Sequence, residues 1–288
     1  MRIKEADLIG LFSFFVFLPG NNIEMNIKIK SAVIFLILVF HLPASSQTTE
    51  SINHSDENGR KQGHWIKKYP NGNIMYDGYF TDDRPSGEFK RYYEDNTLKS
   101  ILVFNKSGEE AEATLYYPNG LPSSRGKYLN QMKEGKWQFY SPSNEGVLIS
   151  EEEFSSDKRN GVSVTFYPDS TVAERIHYTK GIRNGEWHKY YPDGSPMLKT
   201  NYRNGRLHGK FEGFFENGKH EFLGNYRDDL KDGLWIIYKK DGSVRFKTTY
   251  TAGMPDNRQK DIYETNFIDS LERSNRNIPD PEKTGEPW

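Results

Sequence analysis

The chain has 288 residues and a formal net charge of −1, with 35% hydrophobic residues, 14% aromatic residues and no cysteine. The near-neutral balance excludes a nucleic-acid partner, because phosphate binding needs a clustered positive patch. The lack of cysteine excludes disulfides, thiolate chemistry and a lipid anchor on cysteine. Aromatic residues must supply much of the buried area, which favours a thin β structure over a large aliphatic core.

Residues 1–46 differ from the rest of the chain. Their two apolar runs, at 8–18 and 32–42, are well short of the roughly 20 residues that a membrane-spanning helix needs. Basic residues precede the second run and small residues follow it, which is typical of a secretory signal peptide. We predict a signal at Met25–Ser46 with cleavage near its end, and residues 1–24 lie upstream of the probable start codon. The mature protein is then periplasmic or extracellular, with no stable membrane span.

A unit of 24 residues recurs along the middle of the chain. Successive anchor residues, taken as position 0 of each copy, are 24 residues apart, with one step of 26. The eight anchors are Gly63, Gly87, Ala111, Gly135, Gly161, Gly185, Gly209 and Gly233. A fixed period over eight copies indicates a repeat array. We place this array at residues 61–254, after a polar, flexible leader at 47–60.

Each copy has the pattern of a β-hairpin. In the sixth copy, an aromatic-rich run meets the turn Pro192-Asp193-Gly194, and a second run ends at Asn204-Gly205. Glycine, asparagine and aspartate tolerate the positive φ that tight turns need. The fold class is therefore all-β: an elongated, twisted antiparallel meander of about eight hairpins, or sixteen strands.

Side-chain alternation assigns the faces of this sheet. Residues two apart in a strand share a face, so the aromatic positions +2 and +17, together with +6 and +13, are assigned to a packed face. A small residue at +15 leaves room there for a ring from the next strand. Position +5 then points to the opposite face and forms an aromatic, half-exposed row of the kind that marks interaction sites. The predicted partner-binding residues are Tyr92, Tyr116, Tyr140, Phe166, Tyr190, Phe214 and Tyr238.

The chain becomes charged after residue 254. Apolar residues between Tyr263 and Leu271 share one helical face, and Asp261 suits the N-cap. Residues 255–288 are therefore predicted to hold a short helix that covers the last strand, followed by a disordered tail.

The repeat unit resembles a known family. The pattern Asn-Gly-x-x-x-Gly-x-Trp-x-x-Tyr-Tyr-Pro-Asp-Gly, closing on an aromatic residue, resembles the MORN repeat in its variant form. The match is clearest at Gly181–Tyr202, Gly205–Tyr226 and Asp229–Tyr250. This variant is typical of bacterial proteins grouped as YwqK-like antitoxins. The resemblance implies a β-hairpin array used for protein interaction, with a toxin as one partner.

The sequence contains no recognisable catalytic, cofactor or metal motif. Five of its seven histidines lie in the array, at different repeat positions, and the sequence has no nucleophile elbow, dinucleotide fingerprint or P-loop. We interpret the acidic run Glu151–Glu153 as solvated charge on an edge strand. We therefore predict that the protein is not an enzyme and holds no cofactor or metal.

Three functions remain open at this point. The first is a non-catalytic, exported scaffold that binds a protein partner through its extended β surface. The second is an antitoxin or immunity protein. The third is a glycan or cell-wall binder that uses the row Trp65, Trp137, Trp187 and Trp235, although the phase of these rings with position +17 favours a place in the core.

Overall fold

The computed structural model describes residues 51–256, which form a single antiparallel β-sheet. The predicted signal region and the predicted C-terminal helix and tail lie outside the described residues. Within 51–256, no helix has the length and apolar character that crossing a membrane requires.

Twenty strands follow one another along the chain, and the sixteen long ones form eight hairpins. The hairpins are β2 Lys61–Lys68 with β3 Ile74–Thr81, β4 Arg84–Tyr92 with β5 Leu98–Phe104, β6 Glu110–Tyr116 with β7 Pro122–Leu129, β8 Met132–Tyr140 with β9 Leu148–Ser155, β10 Lys158–Phe166 with β11 Val172–Thr179, β12 Ile182–Tyr190 with β13 Pro196–Arg203, β15 Gly209–Phe214 with β16 His220–Arg227, and β18 Gly233–Tyr238 with β19 Val244–Thr251. The short strands are β1 His54–Ser55, β14 Arg206–Leu207, β17 Leu230–Lys231 and β20 Met254–Pro255.

Every long strand pairs antiparallel with the next long strand, so the sheet is a simple meander. The short strands β14 and β17 pair with β13 and β16 just before the long strands that follow them. Among the described residues no pairing joins β2 to β19, and the sheet has two edges. The predicted all-β meander of eight hairpins is confirmed.

One face of the sheet carries the hydrophobic core. At position +2, Trp137, Trp187 and Trp235 are only 0–2% exposed, and the aromatic residues at +17 lie beside them, as with Tyr128 at 4.9 Å from the Trp137 ring. The core consists of two clusters, one in the first four copies and one in the last four. The assignment of positions +2 and +17 to the packed face is confirmed.

Glycine at +15 lets a ring of the following strand lie directly on the backbone. A Cβ built on Gly126 would be 2.2 Å from the Trp137 ring, and one on Gly224 would be 2.2 Å from the Trp235 ring. No real Cβ approaches an aromatic carbon so closely. The close approach, and not a turn, therefore requires glycine at these two positions.

Position +6 lies at the hairpin turns and not on the packed face, so that part of the face assignment is wrong. The pairing register shifts between +4 and +5 in every copy, as between Lys67 and Lys68, so simple alternation fails beyond this point. Each +6 tyrosine hydroxyl instead donates to the carbonyl of the +5 residue in the next copy, at 2.8–3.0 Å. The five donors are Tyr69, Tyr93, Tyr117, Tyr167 and Tyr191.

The opposite ends of the strands are joined by two-residue turns. Asp82 and Asp83, for example, have φ of 52° and 65°, the paired positive values of a type I′ turn. The Asp83 carboxylate also accepts a 2.8 Å bond from the Lys61 N–H, and Asp157 does the same for Lys133 at 2.6 Å. Side-chain hydrogen bonds at both ends of the strands therefore fix the register of successive hairpins.

Part of the polar leader at 47–60 is an ordered strand. His54 and Ser55 form β1, which pairs with Gln62 and Lys61. Asp56 accepts bonds from the Arg60 backbone and side chain, and the backbone bond is the main reason that the Asp56 pKa falls to about 2. These contacts offset the entropy of ordering a polar segment that has few apolar side chains.

The acidic run Glu151–Glu153 does not lie on an edge, because β9 pairs with both β8 and β10. Glu152 is 6% exposed on the packed face, where the Arg159 guanidinium donates two bonds to it, at 2.6 and 3.2 Å. Glu151 points the other way and accepts from Gln138, which lowers its pKa. The interpretation of this run as solvated edge charge is wrong for Glu152.

We expect Gly126→Ala to lower the free energy of unfolding by about 1–3 kcal/mol, because the added methyl group must displace the Trp137 ring. Urea unfolding followed by circular dichroism measures the change. In a Trp137→Leu background the smaller side chain leaves room, so the same substitution should cost less. Equal costs in both backgrounds would contradict the contact.

We expect Tyr93→Phe and Tyr117→Phe each to destabilise the sheet by about 0.5–1.5 kcal/mol, because each removes a hydroxyl bond to the next copy. The matched control is Tyr116→Phe, whose hydroxyl has no hydrogen-bond partner among the described residues, and it should leave the urea midpoint almost unchanged. A control effect as large as the other two would show that the hydroxyl bonds do not stabilise the array.

Candidate interaction surface

The seven predicted partner-binding residues share the face opposite the core. The Tyr140 hydroxyl donates to Gln138 and its ring lies against Arg125, and both partners alternate with buried residues of the packed face, so the +5 side chain points away from that face. All seven are half-buried, one on each copy from the second to the eighth. Since two strand spacings separate successive copies, neighbouring rings are about 10 Å apart. We call these residues the outer aromatic row: Tyr92, Tyr116, Tyr140, Phe166, Tyr190, Phe214 and Tyr238.

A second row, which the sequence reasoning missed, lies directly across from the first. The register shift pairs position +5 with position +11, as with Tyr92 and Leu98 or Tyr190 and Pro196. The +11 residues are Ile74, Leu98, Pro122, Leu148, Val172, Pro196, His220 and Val244. Seven of these eight are apolar, and aligning the copies by their anchors would have revealed the column. The two rows together form what we call the outer apolar band.

Neighbouring rings and cations hold this band in place. In the last copies, His220 lies 4.8 Å from the Phe214 ring and 6.3 Å from the Tyr238 ring, which makes a continuous stack. The Arg125 guanidinium lies 5.6 Å from the Tyr140 ring. Rings fixed by such contacts lose little conformational entropy when a partner binds.

The backbone of the band is fixed as well. The carbonyls that accept the +6 tyrosine hydroxyls belong to Tyr92, Tyr116, Tyr140, Tyr190 and Phe214 of the outer aromatic row. The hydroxyls of the row itself are mostly unused. Tyr140 donates to Gln138 at 3.0 Å, whereas among the described residues the Tyr92, Tyr116 and Tyr190 hydroxyls have no hydrogen-bond partner. They can therefore donate to or accept from a partner.

The rest of the outer face, towards the two-residue turns, is charged but internally neutralised. His64 pairs with Asp77 at 2.6 Å, Lys136 with Glu151 at 3.1 Å, and further pairs follow along the sheet. Exposed pairs of this kind contribute little stability individually. Because cations and carboxylates alternate, this half of the face presents no single-sign field.

Nothing in residues 51–256 assembles a catalytic or metal centre. No group of three or more His, Asp or Glu side chains in this range could hold a metal ion. The buried polar groups have structural contacts: Glu174 accepts from the Trp187 indole N–H at 2.6 Å. Lys189 lies 5.8 Å from the same ring, and burial lowers its pKa.

The tryptophan row does not offer a sugar-binding platform in the interior copies, because Trp137, Trp187 and Trp235 are buried at 0–2% exposure. Only Trp65, in the first copy, is half-buried. A glycan ligand would therefore have to use the outer apolar band.

Comparison with known proteins agrees with the repeat architecture. No curated protein matches the chain. The family model described as the MORN repeat variant matches four segments, at residues 61–82, 85–106, 183–204 and 207–228. These segments are the first, second, sixth and seventh copies of the array, and the copies between and after them form the same hairpin. Four of the eight copies therefore match the MORN repeat variant, a repeat module.

Proposed function

We propose that this protein is a non-catalytic scaffold that binds a protein partner across the outer apolar band. The observation that carries the proposal is the continuous column of aromatic and aliphatic side chains on the face opposite the core, repeated in register over the array. Cross-strand pairing between +5 and +11 stabilises each hairpin, and because these side chains are only half-buried they can also contact a partner. Aromatic residues with a polar tip are also the side chains that dominate binding energy at interfaces.

We further propose that the protein acts outside the cytoplasm, on the basis of the signal pattern at Met25–Ser46. The alternative is a toxin-neutralising protein, for which the family resemblance is the only support. Fusing residues 1–60 to a reporter separates the two. Recovery of the reporter outside the cytoplasm supports export, whereas a cytoplasmic reporter favours the alternative.

We expect replacement of Tyr116, Tyr140 and Tyr190 by serine to weaken partner binding by about a hundredfold or more, because it removes three anchoring rings. The measurement is affinity capture with the mature chain, followed by titration of the protein recovered. The control replaces the exposed residues Val103, Ile182 and Leu234 by serine, which removes three apolar side chains that lie outside the outer apolar band.

Both variants should remain folded by circular dichroism, and the control should keep its affinity. Unchanged affinity of the serine variant would exclude the band as the binding surface. Retention on cell-wall material without any protein partner would point to the glycan alternative.

A further inference from the structure

The first copy lacks the cover that interior copies receive from the copy before them. The Trp137 ring lies on Gly126, and its indole N–H donates to the Lys127 carbonyl at 3.1 Å, both in the preceding copy. Trp65 has no preceding copy, and its indole N–H donates to the His54 carbonyl of the leader at 3.1 Å. The leader thus replaces the hydrogen bond but not the packing, which leaves Trp65 half-buried.

A cavity of about 800 Å³ lies beside this ring. Trp65 and Tyr76 supply aromatic walls, and Lys61, Lys67 and Lys68 supply three ammonium groups. Among the described residues that line the cavity, none carries a carboxylate. It is therefore both aromatic and positively charged, in contrast to the neutralised outer face.

Within residues 51–256, the lysines of the cavity either contact aromatic rings or lie exposed. The Lys61 ammonium lies 5.1 and 4.6 Å from the Trp65 and Phe80 rings. Among the described residues, neither Lys67 nor Lys68 has a carboxylate partner. Lys68 also breaks the repeat pattern, because it occupies position +5, which is aromatic in the other seven copies.

The cavity adjoins an uncovered stretch of strand edge. β1 pairs only with Lys61 and Gln62. The Asn53 N–H donates to the His64 carbonyl, and its side chain accepts from the Ile66 N–H, each at 2.8 Å. Within residues 51–256 the leader pairs with β2 no further than this, and the edge at 67–68 lies beyond that pairing. An uncovered edge accepts an added strand.

A second copy of this chain is a poor occupant for that edge. Head-to-tail stacking would bring the last strand, β19, against β2, and β19 carries the exposed cations Arg245 and Lys247. These would face the cavity lysines, and like charges across an interface oppose association. The charge of the site favours an acidic occupant.

We propose that the first copy binds an acidic segment of a partner protein, which adds to the β2 edge as an extended strand. Because Lys67 and Lys68 point to opposite faces of β2, two adjacent carboxylates of the segment meet them, one on each face. An apolar side chain two residues beyond the carboxylate at Lys67 lies over Trp65 and Tyr76. The segment takes the place of the missing preceding copy, and the site uses only the first copy, which contributes no residue to the outer aromatic row.

The test measures binding of a fluorescent peptide that holds two adjacent glutamates followed, after one threonine, by a tyrosine, using the full chain and fluorescence anisotropy. Replacing both Lys67 and Lys68 by glutamate should weaken binding about tenfold or more, because attraction becomes repulsion. The matched control replaces Lys239 and Lys240, two adjacent exposed lysines of the last copy, by glutamate, and it should bind normally. Thermal unfolding of both variants checks that the fold is intact.

Two further peptides separate strand addition from charge alone. Substituting glutamine for glutamate should abolish binding, and placing proline at the central position should weaken it about tenfold, because proline cannot donate to a strand edge. The proposal is overturned by equal effects of the two lysine pairs, by tight binding of the proline peptide, or by no saturable binding of the glutamate peptide. It is also overturned if vesicles containing phosphatidylserine bind through these lysines while the peptide does not.

Discussion

The contact between an aromatic ring and the backbone of the preceding strand is the interaction on which this structure depends. A single sheet has no second layer to bury its core, so each ring must be covered by its neighbours in the same sheet. The Trp137 ring over Gly126 and the Trp235 ring over Gly224 accomplish this, and the aromatic residues at +17 close the sides. Stability therefore arises from contacts between consecutive copies, as expected for a quasi-one-dimensional array.

Hydrogen bonds at the two ends of the strands make this packing specific. Hydrophobic contact alone leaves strand register free to slip, and a slip of one residue would turn every ring to the wrong face. The +6 tyrosine hydroxyls fix one end, and aspartates such as Asp83 and Asp157 fix the other. The same bonds hold the carbonyls of the outer aromatic row, so the proposed binding surface is a rigid consequence of the fold.

Most of the architecture could be predicted from the sequence, because the 24-residue period and the turn residues are local signals that a single sequence contains. The +2 and +17 rows, and the need for a small residue at +15, follow from alternation within a strand. Alternation failed at +6, where the register shift between +4 and +5 breaks the parity count. The +11 row was missed for the same reason, because its pairing with +5 exists only when the shift is present.

The burial of individual charged residues also could not be predicted from the sequence. The sequence does not distinguish the three residues of the run Glu151–Glu153. In the structure, Glu152 is buried against Arg159, while its two neighbours face outwards. Their environments depend on which strands flank β9, and that is a property of the whole sheet. The lysines of the first copy are a similar case, because their surroundings depend on β2 having no preceding copy of the repeat beside it.

The division of the core into two clusters has a consequence for cooperativity. At the boundary, in the fifth copy, Ser163 occupies the place of the +2 ring, and the Glu152–Arg159 pair replaces apolar packing. Each cluster has its own aromatic contacts, so the free energy that couples the halves is smaller than the free energy within either half. We expect this boundary to be the point at which the two halves of the array uncouple most easily. A partner that spans the outer apolar band across the boundary would then couple the stabilities of the two halves.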